Sequence, residues 1–226
     1  MTIQALIFDL DGLLIDSERL SQRSWSEVMA HAGYTLSEEI YHQMIGRTEQ
    51  DVKAILRQAY GMEFPFEEMY QKREKRFFEI IEQEGMPTKA GWEKLAAHIS
   101  RTGLKTAVAS STYCRLAEKK LKAAGLSNFF QVIVTGDEVA RGKPAPDLFL
   151  TAAKKLEVSP SSCVVLEDSE AGIQAASAAG IRCIHIPDIQ PISPQALSLV
   201  WRQVNTLADV VEILEKECDR SPIHPD

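Results

Sequence analysis

Two aspartates separated by a single residue follow the first apolar segment of the chain. The run Ala5–Phe8 predicts a buried parallel strand, and Asp9, Asp11 and Gly12 come after it. In open parallel sheets, ligands bind beyond the carboxyl ends of the strands. Because two close carboxylates repel each other, the pair favours a site for a cation such as Mg²⁺, or a nucleophile beside an acid/base. The plain alternative is a polar strand end that begins a turn.

A second pair of carboxylates follows another apolar run much later in the chain. The run Cys163–Leu166 predicts a strand, and Glu167 and Asp168 come directly after it. A parallel sheet can make this strand a neighbour of the first, so that both acidic pairs surround one cation. A polar strand end, with Ser169 as the cap of the next helix, is the simpler interpretation.

Hydroxyl and lysine side chains in two further segments suit a phosphate group. Ser110, Ser111 and Thr112 lie between a predicted strand and a predicted helix, where hydroxyls and free backbone N–H groups can bind an anion. Ordinary helix capping is the common alternative for such residues. Lys143 lies in a loop restrained by prolines, which can hold its ammonium group against phosphoryl oxygens, although most lysines in turns are simply exposed.

The order of the predicted elements indicates an α/β core with an insertion. From residue 87 onward, strands alternate with helices, which implies right-handed crossovers and a Rossmann-like parallel sheet flanked by helices. Residues 16–86 show only helical patterns, so an all-helical domain interrupts the core directly after its first strand. We therefore predict a core domain formed by residues 1–15 and 87–226 and a helical domain formed by residues 16–86.

Three local patterns add detail to this assignment. Thr48 and Asp51 resemble a capping box that opens a helix. The charged run Lys72–Arg76 is typical of a solvated helix face. Residues 219–226 are typical of a frayed terminus.

The composition argues against several classes of protein. The 226 residues carry a formal net charge of −7, and no basic stripe suggests nucleic-acid binding. No apolar run approaches the length of a membrane span, and a strand begins within a few residues of Met1, which leaves no room for a signal peptide. The four cysteines form no CxxC pair, so neither a zinc site nor a disulfide framework is expected. We expect a cytoplasmic protein with neither nucleic-acid nor membrane partners.

Taken in chain order, the four polar segments resemble the four motifs of the haloacid dehalogenase superfamily. The resemblance is to the branch of β-phosphoglucomutase-like enzymes and sugar phosphatases with a small helical cap, and its most specific part is the Gly-Lys-Pro-x-Pro-Asp pattern from Gly142 to Asp147. It implies a Mg²⁺-dependent phosphatase that hydrolyses small phosphate monoesters, of the sugar phosphate or nucleotide class, through an aspartyl-phosphate. The partner would be a small phosphorylated metabolite, and the helical domain would be a cap that closes over the site.

The resemblance also assigns roles in catalysis and phosphate binding. Asp9 would be the nucleophile that forms the aspartyl-phosphate. Asp11 would protonate the leaving alcohol and then activate water. Ser110, Ser111 and Lys143 would hold the phosphate.

The same resemblance implies a metal site and a contact with the substrate. The Mg²⁺ ligands would be Asp9, the backbone carbonyl of Asp11, and Asp168. Glu167 would bind the ion directly or orient its waters. In the cap, Arg47 is the candidate cation for the polar end of the substrate, and a surface arginine next to a helix start is an equally common interpretation.

Two other functions fit the pattern less well. β-Phosphoglucomutases carry a cap histidine where this chain has Ser21 or a neighbour, and a lysine before the glycine of the cap loop, which the loop Met44–Glu49 lacks. These departures favour a phosphatase over a phosphosugar mutase. A non-catalytic binding module on the same fold is an alternative of another class, against which the intact motif residues argue. The sequence leaves the oligomeric state open, a monomer included.

Overall fold

The computed structural model describes residues 2–47 and 49–219. Within them, the chain divides into two compact units. One unit runs to Ile15 and resumes at Pro87, and the other is Asp16–Met86. Among the described residues, no helix combines the length and the apolar character needed to cross a membrane.

In the described residues of the unit Asp16–Met86, every regular element is a helix. These are α1 (Ser17–His31), α2 (Glu38–Met44), α3 (Glu49–Tyr60) and α4 (Phe66–Glu84). Apolar residues spaced three and four apart enclose a separate core that includes Trp25, Met29 and Leu56. The predicted cap of α3, Thr48, lies outside the described residues.

The charged segment of α4 is not a uniformly solvated face, and the prediction is wrong at Arg73. Its guanidinium group lies 5.9 Å from the ring centroid of Trp25 and 5.0 Å from that of Phe77. It also donates a hydrogen bond to Ser21 Oγ. Helical periodicity explains the burial, because Arg73 shares a face with the buried Met69 and Phe77, four residues away on either side.

The other unit is built on a parallel sheet of six strands. These are β1 (Ala5–Phe8), β2 (Lys105–Ala109), β3 (Val132–Val134), β4 (Cys163–Glu167), β5 (Arg182–His185) and β6 (Arg202–Gln203). Their order in the sheet is β3-β2-β1-β4-β5-β6. The predicted Rossmann-like parallel sheet is confirmed. The sequence does not predict β6, because two exposed residues are too few to show a strand pattern.

Six helices accompany the sheet in the described part of this unit. These are α5 (Trp92–Thr102), α6 (Cys114–Ala123), α7 (Asp147–Lys155), α8 (Glu170–Ala178), α9 (Pro194–Leu197) and α10 (Leu207–Asp219). Helix α7 packs on β1, β2 and β3, α8 packs on β4 and β5, and α5 packs on α10. Apart from the last residue of α10, the predicted frayed terminus lies outside the described residues.

The two central strands are buried along their whole length. Every residue of β1 and of β4 is buried, as expected for a parallel sheet covered on both faces. Ile7 and Val165 belong to an apolar core that also contains Leu148 and Phe149 from α7. This packing gives the polar residues that follow β1 and β4 a rigid support.

Candidate active site

Three adjacent strands bring the predicted site residues to one edge of the sheet. β1 pairs with β2 on one side and with β4 on the other, so the predicted neighbours are indeed adjacent. The chain continues from β1 to one side of the sheet and later returns to the other side, which makes this a topological switch point, where such sheets bind ligands. Asp9 follows β1, Ser110 follows β2, and Glu167 and Asp168 stand at the end of β4.

The ammonium group of Lys143 joins the two acidic pairs. Its Nζ donates hydrogen bonds to Asp9 Oδ1 and to Glu167 Oε1, the latter at 2.6 Å. The Lys143 side chain is only 6% exposed, and its Nζ lies 4.9 Å from the ring centroid of Phe149. Burial alone would lower the pKa of Lys143, but the carboxylates of Asp9 and Glu167 outweigh burial and raise that pKa. Lys143 is therefore a charged, buried part of the site and not an exposed lysine in a turn.

Glu167 accepts hydrogen bonds on both of its carboxylate oxygens. Oε1 accepts from Lys143, and Oε2 accepts from the backbone N–H and the hydroxyl of Ser169 at 2.8 and 2.9 Å. Ser169 also caps α8, since its Oγ accepts from the N–H of Gly172 at 3.1 Å. The helix cap and the acidic pair thus form one network, in which Glu167 supports Lys143.

Gly172, in the first turn of α8, allows a test of this close packing. A Cβ atom there would lie 1.6 Å from Glu167 Oε1, so Glu167 would have to move. Alanine normally stabilises a helix by about 1 kcal/mol relative to glycine, but we expect Gly172→Ala to destabilise the protein by about 1–3 kcal/mol through overpacking. Chemical denaturation measures the difference. Gly142→Ala is the control, because a Cβ there meets no described atom within 4 Å; equal effects would contradict the packing.

Asp9 is a buried carboxyl group beside both positive and negative charges. Burial raises the pKa of Asp9 to about 7, with Lys143 opposing the rise and Glu167 and Asp11 adding to it. Lys143 therefore stabilises the ionised form of Asp9, which burial and the neighbouring carboxylates disfavour. Any further cation at this site would favour the ionised, nucleophilic form.

Asp188 is an additional acidic residue of this edge, absent from the prediction. It follows β5, its side chain is 3% exposed, and its Oδ1 accepts a hydrogen bond from Lys89 Nζ. A Cβ on Gly12, whose φ is +85°, would lie 2.5 Å from Asp168 Oδ2 and 3.1 Å from Asp188 Oδ2. The carboxylates of Asp168 and Asp188 therefore both pack closely against Gly12. Acidic residues that follow the first and fourth strands were predicted as site residues. The same reasoning, applied to the residues that follow the fifth strand, would have pointed to Asp188.

The surroundings of Asp168 fit a divalent cation. Burial and the charges of Glu167, Asp9 and Asp188 raise the pKa of Asp168 well above its usual range. Its Oδ1 is buried and has no hydrogen-bond partner among the described residues. Within residues 2–47 and 49–219, no three His, Cys, Asp or Glu side chains already form a metal-binding group. The oxygen donors suit Mg²⁺, which uses few protein carboxylates and keeps several waters.

Asp11 contacts residues that follow β2. Its Oδ1 accepts a hydrogen bond from Lys120 Nζ at 2.6 Å, and its Oδ2 accepts one from Thr112 Oγ1 at 2.7 Å. The N–H of Thr112 in turn donates to the buried Ser110 Oγ at 3.1 Å. This is a turn contact and not a helix cap, because α6 begins at Cys114 and its cap residue, Tyr113, makes no side-chain cap hydrogen bond. Ser111 is exposed.

The helical unit contains its own polar cleft. The cleft has a volume of about 160 Å³, and Ser21, Tyr41, Arg47 and Arg73 are among the residues that line it. Arg47 is exposed, whereas Arg73 is a half-buried cation that donates a hydrogen bond to Ser21. The sequence assigned Arg47 to the substrate and overlooked Arg73, because only helical periodicity separates Arg73 from the exposed charges beside it.

Comparison with known proteins places these features in a family. The chain matches the haloacid dehalogenase-like hydrolase family over residues 6–186. It is 30% identical over 187 residues to the phosphorylated carbohydrates phosphatase of Thermotoga maritima, covering 81% of this chain and 84% of that protein. It is 28% identical over 224 residues to the β-phosphoglucomutase of Bacillus subtilis, covering 96% of each. A family hydrolase from Deinococcus radiodurans, solved with phosphate and sodium bound, superposes with a TM-score of 0.82 at 30% identity, covering 97% of this chain and 98% of that one.

The chain therefore belongs to the haloacid dehalogenase-like hydrolase family. Within this family it is an enzyme of the phosphoric monoester hydrolase class, as its sequence predicted. The relatives include both a sugar phosphatase and a phosphoglucomutase, so the predicted branch is confirmed.

Proposed function

We propose that this enzyme hydrolyses small phosphate monoesters with Mg²⁺ as cofactor and a phosphorylated aspartate as intermediate. The observation that carries the proposal is the buried Asp9 at the end of β1, held by Lys143 at the switch point of the sheet. A nucleophile fixed beside a permanent cation is suited to attack on an anionic phosphoryl group.

The proposed reaction has two steps. In the first, Asp9 attacks phosphorus, the bond to the leaving oxygen breaks, and Asp11 gives that oxygen its proton. In the second, Asp11 takes a proton from water, the water attacks phosphorus, and Asp9 is released with inorganic phosphate. Lys143 neutralises charge on the phosphoryl oxygens in both steps, and Ser110 and Ser111 are proposed as further phosphate contacts.

A metal ion has a place in this scheme. Asp9, Asp168 and the backbone carbonyl of Asp11 are the proposed ligands of Mg²⁺, with Glu167 bound directly or through water. When bound, the ion supplies charge stabilisation to the transferring phosphoryl group. The crowded carboxylates and the unpartnered Oδ1 of Asp168 support this assignment.

The proposed substrates are phosphorylated sugars. The name of the Thermotoga maritima relative supports this class, and Arg47 in the helical unit is the proposed contact for the polar end of the substrate. We propose hydrolysis and not phosphosugar mutation, because Ser21 stands near the position of the mutase histidine and cannot carry a proton as imidazole does. The cytoplasmic location and the role of residues 16–86 as a closing cap remain predictions.

A panel of phosphorylated metabolites, each assayed for inorganic phosphate with Mg²⁺ and with a chelator, tests the proposed function. We expect sugar phosphates to be the best substrates and the chelator to abolish turnover. With β-glucose 1-phosphate, release of inorganic phosphate supports hydrolysis, whereas formation of glucose 6-phosphate would identify a mutase. Absence of phosphate release from every member of the panel would refute the proposal.

Binding of Mg²⁺ should also be visible without turnover. A ligand that binds only the folded state at 100 times its Kd stabilises that state by about 2.7 kcal/mol. We therefore expect Mg²⁺ to raise the melting temperature of the wild type, and Asp168→Asn to lose most of that rise. Asp51→Asn, an exposed aspartate of α3, is the control and should keep the rise. An unchanged response of Asp168→Asn would remove Asp168 from the metal site.

A further inference from the structure

Both oxygens of the Asp11 carboxylate are held by side chains other than the proposed catalytic, phosphate-binding and metal-binding residues. Lys120 Nζ donates to Oδ1 at 2.6 Å, and Thr112 Oγ1 donates to Oδ2 at 2.7 Å. The side chains of Lys120 and Asp11 are 14% and 21% exposed, so the pair is largely shielded from water. Two contacts on different oxygens prevent rotation of the carboxylate, which a single contact would allow.

Lys120 differs from the other cations of α6. Arg115, Lys119 and Lys122 are exposed on this helix, as lysines and arginines usually are. Lys120 instead stands one position before the buried Leu121, and its ammonium group turns inward to Asp11. Ordering a lysine side chain costs rotamer freedom, so a compensating interaction is required, and the ion pair with Asp11 is one.

We propose that Lys120 is a positioning residue for Asp11, which orients the carboxylate for proton transfer to and from the substrate. The proposal rests on the proposed function, in which Asp11 is the acid/base. A carboxylate offers about four lone-pair positions. One hydrogen bond to each oxygen therefore leaves positions free for the transferred proton. When Oδ2 carries that proton, the Thr112 hydroxyl can rotate and accept a hydrogen bond from it instead of donating one.

A comparison of leaving groups separates positioning of the acid from a structural role. para-Nitrophenolate departs without a proton, whereas the alkoxide of an alkyl phosphate needs one. General acid catalysis typically contributes about 10²–10⁴-fold, so partial misplacement of Asp11 by Lys120→Met should lower kcat/KM for an alkyl phosphate by about tenfold or more. The kcat/KM for para-nitrophenyl phosphate should fall much less, because it reports only the steps through departure of the leaving group.

Three further variants make the experiment decisive. Lys122→Met removes an exposed lysine from the same helix and should leave both values unchanged. Lys120→Arg keeps the charge and the donor and should recover part of the activity toward the alkyl phosphate. Thr112→Val removes the other hydrogen bond and should show the same leaving-group pattern, which serves as the test if Lys120→Met does not fold.

The outcomes distinguish this inference from the proposed function. If the wild type hydrolyses neither substrate, the proposed function fails. If the wild type is active but Lys120→Met lowers both values by the same factor, or behaves as Lys122→Met does, then Lys120 does not position Asp11. If Lys120→Met is unfolded, equal losses for both substrates in Thr112→Val would overturn the proposal in the same way.

Discussion

Asp9→Asn is expected to lower kcat by at least about 10⁴-fold, the order of loss seen when an enzyme is deprived of its covalent nucleophile. Asparagine has nearly the shape of aspartate but cannot attack phosphorus as a carboxylate does. The fold should survive, because Asp9 is a buried group whose pKa is already raised to about 7 and which therefore gains little from its charge. Lys143 keeps its second partner, Glu167, at 2.6 Å.

Two measurements check this prediction together. Steady-state turnover with Mg²⁺ should disappear while the melting temperature stays close to that of the wild type. Brief reaction with radiolabelled substrate, followed by acid, should leave label on the wild type that hydroxylamine removes, and should leave none on Asp9→Asn. Asp51→Asn should retain both turnover and label. Labelled protein or sustained turnover in Asp9→Asn would show that another residue is the nucleophile.

Lys143→Met is expected to damage stability and activity at once. Removing one partner of a buried ion pair costs about 3–5 kcal/mol, because the other charge stays buried without compensation. Here two carboxylates, Asp9 and Glu167, would lose their shared ammonium group, and the Glu167 side chain is fully buried. Activity should fall as well, because the ammonium group beside Asp9 would no longer be present to neutralise the phosphoryl oxygens in the proposed reaction.

An exposed ion pair of the same type supplies the matched control. Lys155 Nζ and Glu138 Oε2 lie 2.5 Å apart, and the two side chains are 43% and 34% exposed. Exposed pairs contribute about 0–1 kcal/mol, so Lys155→Met should unfold at nearly the denaturant concentration of the wild type. Addition of Mg²⁺ should restore part of the stability of Lys143→Met, because the ion, bound at the proposed site, would compensate the same carboxylates. Similar losses in the two lysine variants would contradict the buried network.

Local patterns were sufficient for the framework of this enzyme. The apolar runs before Asp9 and Glu167 are short and uninterrupted because the central parallel strands are covered on both faces, and such runs are recognisable without any knowledge of tertiary contacts. Alternation of strand and helix implied the parallel sheet, and polar residues directly after strands marked its ligand-binding edge. The family motifs then supplied a reaction class, which the comparisons confirm.

Contacts between distant segments depend on the folded chain. The motif pattern singles out Lys143, but only the folded chain shows that its ammonium group lies between Asp9 and Glu167. Lys120 carries no local signal, because its partner Asp11 lies far away in sequence and a charge pattern does not specify which charges meet. Asp188 follows a strand, but its pairing with the distant Lys89 is equally invisible in the sequence. Strand order decides the partners of these side chains, since it determines which strand ends are adjacent. Residue type and spacing thus predict the reacting groups, whereas three-dimensional packing determines which side chains hold them in place.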